Sequence, residues 1–133
     1  MTLRDNELYE DTSRDPFPRI SPETVKVKTF AADASETELK VGTPVAFDTG
    51  NDNWVVWSAS GTGDVDEIKG FIYPDAVTLD ASDESLAQVM LRGTIHFDDI
   101  ELPDGESATD LREALRTDCL ERGLIIDGLE AVR

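Results

Sequence analysis

The sequence predicts a mostly-β domain of the α+β class, and three observations carry that prediction. Apolar residues recur at every second position in several short runs, clusters of Gly, Asn, Asp and Pro separate those runs, and a single stretch near the C-terminus changes to helical spacing. A chain of 133 residues supports one core and not two. We place that domain at 25–133, behind an extended segment at 1–24.

The elements follow in order. From Val25 the period is two, with Val25 and Val27 on one face and Lys26 and Lys28 on the other, the pattern of a half-buried strand. The apolar stretch Pro44 to Phe47 is separated from Trp54 to Trp57 by Asp48-Thr49-Gly50-Asn51-Asp52-Asn53, a run of turn formers that predicts a β-hairpin. Gly61-Thr62-Gly63-Asp64 breaks the chain before a strand within Ile68 to Tyr73. Pro74 and a short Val77-Thr78-Leu79 strand come next, then a turn at Asp80 to Glu84.

The longest strand signal sets Val89, Leu91, Gly93, Ile95 and Phe97 on one face against Met90, Arg92, Thr94 and His96 on the other, with Gly93 marking a bulge or bend. After Leu102-Pro103-Asp104-Gly105, residues Leu111, Ala114, Leu115 and Cys119 stand at i, i+3, i+4 and i+8, which predicts one helix. Ser107 with Asp110 supplies its N-terminal cap and Gly123 its stop. Leu124-Ile125-Ile126 is a closing strand.

The leading segment reads differently. Pro16, Pro18 and Pro22 fix φ and disfavour helix in the residues before them, and apolar periodicity is nearly absent. We read it as an extended arm whose isolated Phe17 and Ile20 are suited to docking on another surface.

Charge excludes some function classes. The net charge is −17, with 29 acidic residues against 12 basic ones and only four lysines, Lys26, Lys28, Lys40 and Lys69. Neutralising phosphates needs clustered Lys and Arg, so no nucleic-acid partner is expected. Such a surface suits concentrated salt, and a halophilic or marine host is the expectation. No apolar run is long enough to span a bilayer, and Met1 to Glu10 lacks a signal-peptide pattern; no membrane association and a cytoplasmic origin are expected. A lone Cys119 excludes an intramolecular disulfide.

Catalytic chemistry is not expected either. There is one His and one Cys. His96 reads as a surface or interface residue and Cys119, on the apolar helix face, as a small core residue. Asp98 and Asp99 are adjacent on a strand reading, point to opposite faces, and so do not form a facing acid pair. Asp48, Gly50, Asn51 and Asp52 lack the ligand spacing and distal Glu of a calcium loop, and Gly61-Thr62-Gly63 lacks the Lys of a phosphate loop. We therefore expect no catalytic residue, no metal and no cofactor. Trp54 and Trp57, three apart in a strand, point to opposite faces; either one of them is at an interface or the strand has a core on both sides.

Three stretches carry a resemblance. Gly93-Thr94-Ile95-His96-Phe97-Asp98-Asp99-Ile100-Glu101-Leu102-Pro103, Gly42-Thr43-Pro44-Val45 to Asp48 before a Trp-containing strand, and Ile68-Lys69-Gly70-Phe71-Ile72 followed by Ala76-Val77 are similar to stretches of the head decoration (capsid cement) proteins of lambda-like tailed phages. The chain resembles that family from about Leu39 to the C-terminus.

The resemblance implies a small β-barrel or β-tulip-like domain with one C-terminal helix and an extended N-terminal arm. It implies a homotrimer at local three-fold positions on the capsid exterior, reached from the host cytoplasm during assembly, and the major capsid protein as partner. The family's arm, which adds to a capsid strand, corresponds here to Met1 to Thr29, so Phe17, Ile20, Val25 and Val27 are its expected capsid-binding residues. Trp54, Trp57, Phe71, Tyr73 and His96 are the candidates for a trimer or capsid interface. The extreme acidity departs from the family. A tail or baseplate component is the alternative, and a small hydrolase using Asp98 or Asp99 a third.

Overall fold

The computed structural model describes residues 19–33 and 35–129. The described residues are mostly β, 41% strand against 16% helix. The strands are β1 (Ile20–Phe30), β2 (Thr37–Leu39), β3 (Pro44–Asp48), β4 (Asn53–Val56), β5 (Gly70–Ile72), β6 (Val77–Leu79), β7 (Ser85–His96) and β8 (Leu124–Asp127). Helix α1 (Ala108–Ala114) continues through a π turn, Leu115–Cys119, and a 3-10 turn, Leu120–Arg122.

Six strands form one sheet in the order β1-β4-β3-β5-β7-β8, and a further pairing of β1 with β7 returns the sheet on itself as a ring. The long strand β7 makes this possible by using both of its edges. It runs antiparallel to β1 along one edge, and along the other it meets first β5 and then the parallel β8. The ring closes through one residue pair, Phe30 beside Trp54 on β4, where the Ala31 N–H donates to the Trp54 carbonyl at 3.0 Å. Strands β2 and β6 form a separate antiparallel pair.

Three neighbouring strands each send successive residues to opposite sides. Ala46, Phe71 and Met90 enter one apolar cluster, with Trp57, Ile68, Ile95, Leu111, Leu115, Cys119 and Leu124. Val45, Ile72 and Val89 enter a second, with Phe30, Leu39, Leu79 and Ala87. The middle of the sheet is thus buried on both faces, which explains why Pro44 to Phe47 and Phe71-Ile72 read as continuous apolar runs rather than clean alternation. Each large side chain removed from water here contributes about 1.5–3 kcal/mol.

Strict alternation fails along β7. Met90 and Ile95 belong to the same cluster although they stand five positions apart, an odd offset. The register with β1 shifts between Pro22 and Thr24 and again between Thr24 and Val25, so each strand carries one extra residue and the two irregularities cancel. Gly93 sits at this place with φ +142°, and a Cβ there would come within 2.5 Å of the Ser21 carbonyl oxygen. The bend expected at Gly93 is present.

Local chemistry fixes the remaining elements. The Ser107 hydroxyl accepts from the Asp110 N–H at 3.1 Å, capping α1, and Gly123 ends the helical segment at φ +80°. Leu111, Leu115 and Cys119 lie on its buried stripe. In the β3–β4 hairpin, Asp48 accepts from the side-chain amide of Asn51 at 2.9 Å and from the N–H groups of Gly50 and Asn51. The Asn51 amide, then those backbone donors, hold this carboxyl below its ordinary range.

Two expectations about boundaries are revised. The first strand starts at Ile20 and not at Val25, so Ile20, Ser21, Pro22 and Thr24, assigned from sequence to the arm, pair with β7. The period-two signal is hidden there because Pro22 and the register shift interrupt it. Strand β4 stops at Val56, which leaves Trp57 outside the strand reading that placed both tryptophans.

Candidate functional site

The described chain starts where β1 meets the end of β7, and a charged cluster forms at that corner. The His96 N–H donates to the Arg19 carbonyl at 2.9 Å, which brings the two side chains together. Arg19 Nε is 3.0 Å from Asp99 Oδ2, and its Nη2 is 3.5 Å from Asp98 Oδ2 and 3.2 Å from His96 Nδ1. The same Nδ1 accepts from the Asp98 N–H at 3.1 Å, capping a 3-10 turn at Phe97–Asp99.

That turn corrects the reading of Asp98 and Asp99. They do not point apart as strand neighbours do; both reach one guanidinium. Exposed ion pairs of this kind contribute at most about 1 kcal/mol each, so the cluster organises the corner more than it stabilises it. Arg19 had no local signal in the sequence, because its partner His96 lies 77 residues away.

The proposed docking residues separate into groups. Phe17 lies outside the described residues. Ile20 and Val25 are half-buried and pack against the first apolar cluster, so their side chains serve the protein's own body. Val27 is 57% exposed, and Leu86 on the paired strand is 67% exposed. Val27 stands opposite Gln88 and Thr29 opposite Leu86, which makes Val27 and Leu86 diagonal neighbours on one face. With Ala76 and Val77 they line a shallow apolar groove that sequence reading did not identify.

The proposed interface residues also separate. Trp57 and Phe71 are buried at 1% and 0% exposure, so neither offers side-chain surface to a partner. The Trp57 indole N–H donates to the Asp66 carbonyl at 3.0 Å. Trp54 is half-buried on the other side, with ring centroids 6.3 Å from Phe30 and 5.8 Å from Phe47 and the Lys28 ammonium 5.5 Å above it. Of the two readings of this tryptophan pair, a core on both faces is the one realised. Tyr73 is half-buried against the first cluster, and His96 is half-buried at the charged corner.

Cys119 is buried, and its thiol is pushed up to about 12, chiefly by burial and further by the neighbouring Asp118 charge. A thiol so placed stays protonated and packs as a small apolar group. The Asp48 to Asp52 tip is held by its own Asx-type hydrogen bonds. Among the described residues, no group of three or more His, Cys, Asp and Glu side chains is placed to hold a metal ion, and no helix is long and apolar enough to cross a membrane.

No protein-family model matches the chain, and no curated protein matches it.

Proposed function

We propose that this chain is a capsid decoration protein, binding the exterior of a tailed-virus head as trimers at local three-fold positions and stabilising the shell. On this reading the ring-like sheet is a small barrel of the β-tulip type, and residues 1–18 are the segment that reaches the major capsid protein.

One observation carries the proposal. The three stretches on which the resemblance to phage head decoration proteins rests are far apart in sequence, yet they are hydrogen-bonded to one another. The Gly42 N–H donates to the Ile72 carbonyl at 2.9 Å and the Ile72 N–H to the Thr43 carbonyl at 3.0 Å. The Lys69 N–H donates to the Val45 carbonyl at 2.8 Å, and the Glu101 N–H closes the group by donating to the Gly42 carbonyl at 3.0 Å. That the three stretches form one hydrogen-bonded unit supports the reading.

A cement protein needs no reacting group. It acts by linkage: binding only the expanded shell, each copy lowers that state's free energy, and joining several capsid subunits multiplies the effect. The test is the location of the protein in purified virus particles by electron cryomicroscopy. Three-fold density on the outer surface, fitted by this fold, is the expected result. Absence from the particles, or density confined to the interior or the tail, overturns the proposal.

A further inference from the structure

At the corner where residues 1–18 join the body, Nδ1 of the His96 ring is placed as a hydrogen-bond acceptor. Its Nδ1 faces two groups that only donate: the Asp98 N–H at 3.1 Å and the Arg19 guanidinium at 3.2 Å. Both contacts require a lone pair on Nδ1, so the neutral ring carries its proton on Nε2. The far side of the ring packs against Gly128, where a Cβ would come 3.0 Å from Cε1 and Nε2.

The charged groups near the ring are Arg19 at the head of β1 and Asp98 and Asp99 in the turn, while Asp127 is its backbone register partner on β8. A proton added at Nδ1 meets two donors, and the present contacts cannot survive it. The nearest acceptor is Asp98 Oδ2, 3.8 Å from Nδ1.

We propose that His96 is a pH-dependent clasp: neutral, it caps the Phe97–Asp99 turn and holds Arg19; protonated by solvent at Nδ1, it turns to the Asp98 carboxylate and releases both. The turn then loses its cap, and the Arg19 guanidinium loses its imidazole contact while keeping the Asp98 and Asp99 carboxylates. Histidine is suited to this because its charge changes between about pH 5 and 8. The clasp controls the root of the N-terminal segment whatever that segment binds, so it does not depend on the decoration reading.

The test uses the full chain, isotopically labelled, followed by NMR between about pH 8 and about pH 5. The imidazole nitrogen shifts give the tautomer directly, and amide exchange at Asp98, corrected for its intrinsic pH dependence, gives the state of the cap. The expected result is a proton on Nε2 at high pH, with Asp98 exchange becoming about tenfold faster on acidification. His96→Asn keeps a capping oxygen but cannot titrate, so its Asp98 amide is expected to be insensitive to pH. A proton on Nδ1 at high pH, unchanged Asp98 exchange in the natural chain, or the same pH response in His96→Asn each overturns the proposal. The tautomer measurement stands even if the variant fails to fold.

Discussion

Gly42 and Asp99 meet backbone to backbone: a Cβ on Gly42 would overlap the carbonyl oxygen of Asp99, and Gly42 adopts φ +94°. Both the contact and the dihedral require glycine. Gly42→Ala is expected to destabilise the fold by about 2 kcal/mol or more, from left-handed strain added to overpacking. Urea denaturation measures it, and a loss within a few tenths of a kcal/mol counts against the close approach of these two chains.

The start of β1 separates two truncations. Removing residues 1–18 leaves β1 whole, and the transition temperature is expected to stay within a few degrees of the full chain. Removing residues 1–24 strips Ile20 from the first apolar cluster and four paired residues, Ile20, Ser21, Pro22 and Thr24, from the β7 register. That loss is expected to cost about 2 kcal/mol or more.

Trp57 and Trp54 should respond unequally. Trp57→Ala empties a buried site and strands the Asp66 carbonyl, for an expected cost of about 3–5 kcal/mol. Trp54→Ala removes a half-buried ring stacked at the cluster margin and is expected to cost less than half as much. Denaturation of the two variants, followed by the fluorescence of the remaining tryptophan, compares them directly.

Cys119 gives the protein an alkaline limit. The folded thiol titrates at about 12 against an ordinary 9.0, so the native state binds its proton more tightly than the unfolded chain does. The contribution is full below the ordinary value and is lost progressively as pH rises from about 9 toward about 12. Stability measured across that range is expected to fall more steeply for the natural chain than for Cys119→Ala. A thiol reagent is expected to label Cys119 only after unfolding.

Charge predicts the response to salt. At −17 the compact state repels itself, and screening relieves that repulsion. The transition temperature is expected to climb with potassium chloride. A flat dependence removes the case for a salt-adapted host.

Much of the fold was legible because local chemistry decided it. The Asp48 to Asn53 turn formers specify the hairpin, Ser107 and Asp110 the helix start, and Gly123 its end. What stayed hidden was set at a distance. No rule of alternation foresees that Met90 and Ile95 share a face, because paired irregularities opposite Pro22 and Thr24 intervene. Phe71 read as interface material because a strand buried on both sides carries more apolar residues than one core explains. The corner of Arg19, His96, Asp98 and Asp99 joins the first of these to residues at least 77 positions away in sequence, and the β1–β7 pairing brings them together.

The seam at Phe30 and Trp54 has a mechanical consequence. Every other junction in the ring is stitched by two or more residue pairs, whereas this one depends on a single rung. Strain applied to the sheet is therefore relieved there first, opening the ring between β1 and β4 while β1 stays paired to β7 and β7 to β5. The aromatic stack of Phe30, Trp54 and Phe47 then acts as the snap that recloses it.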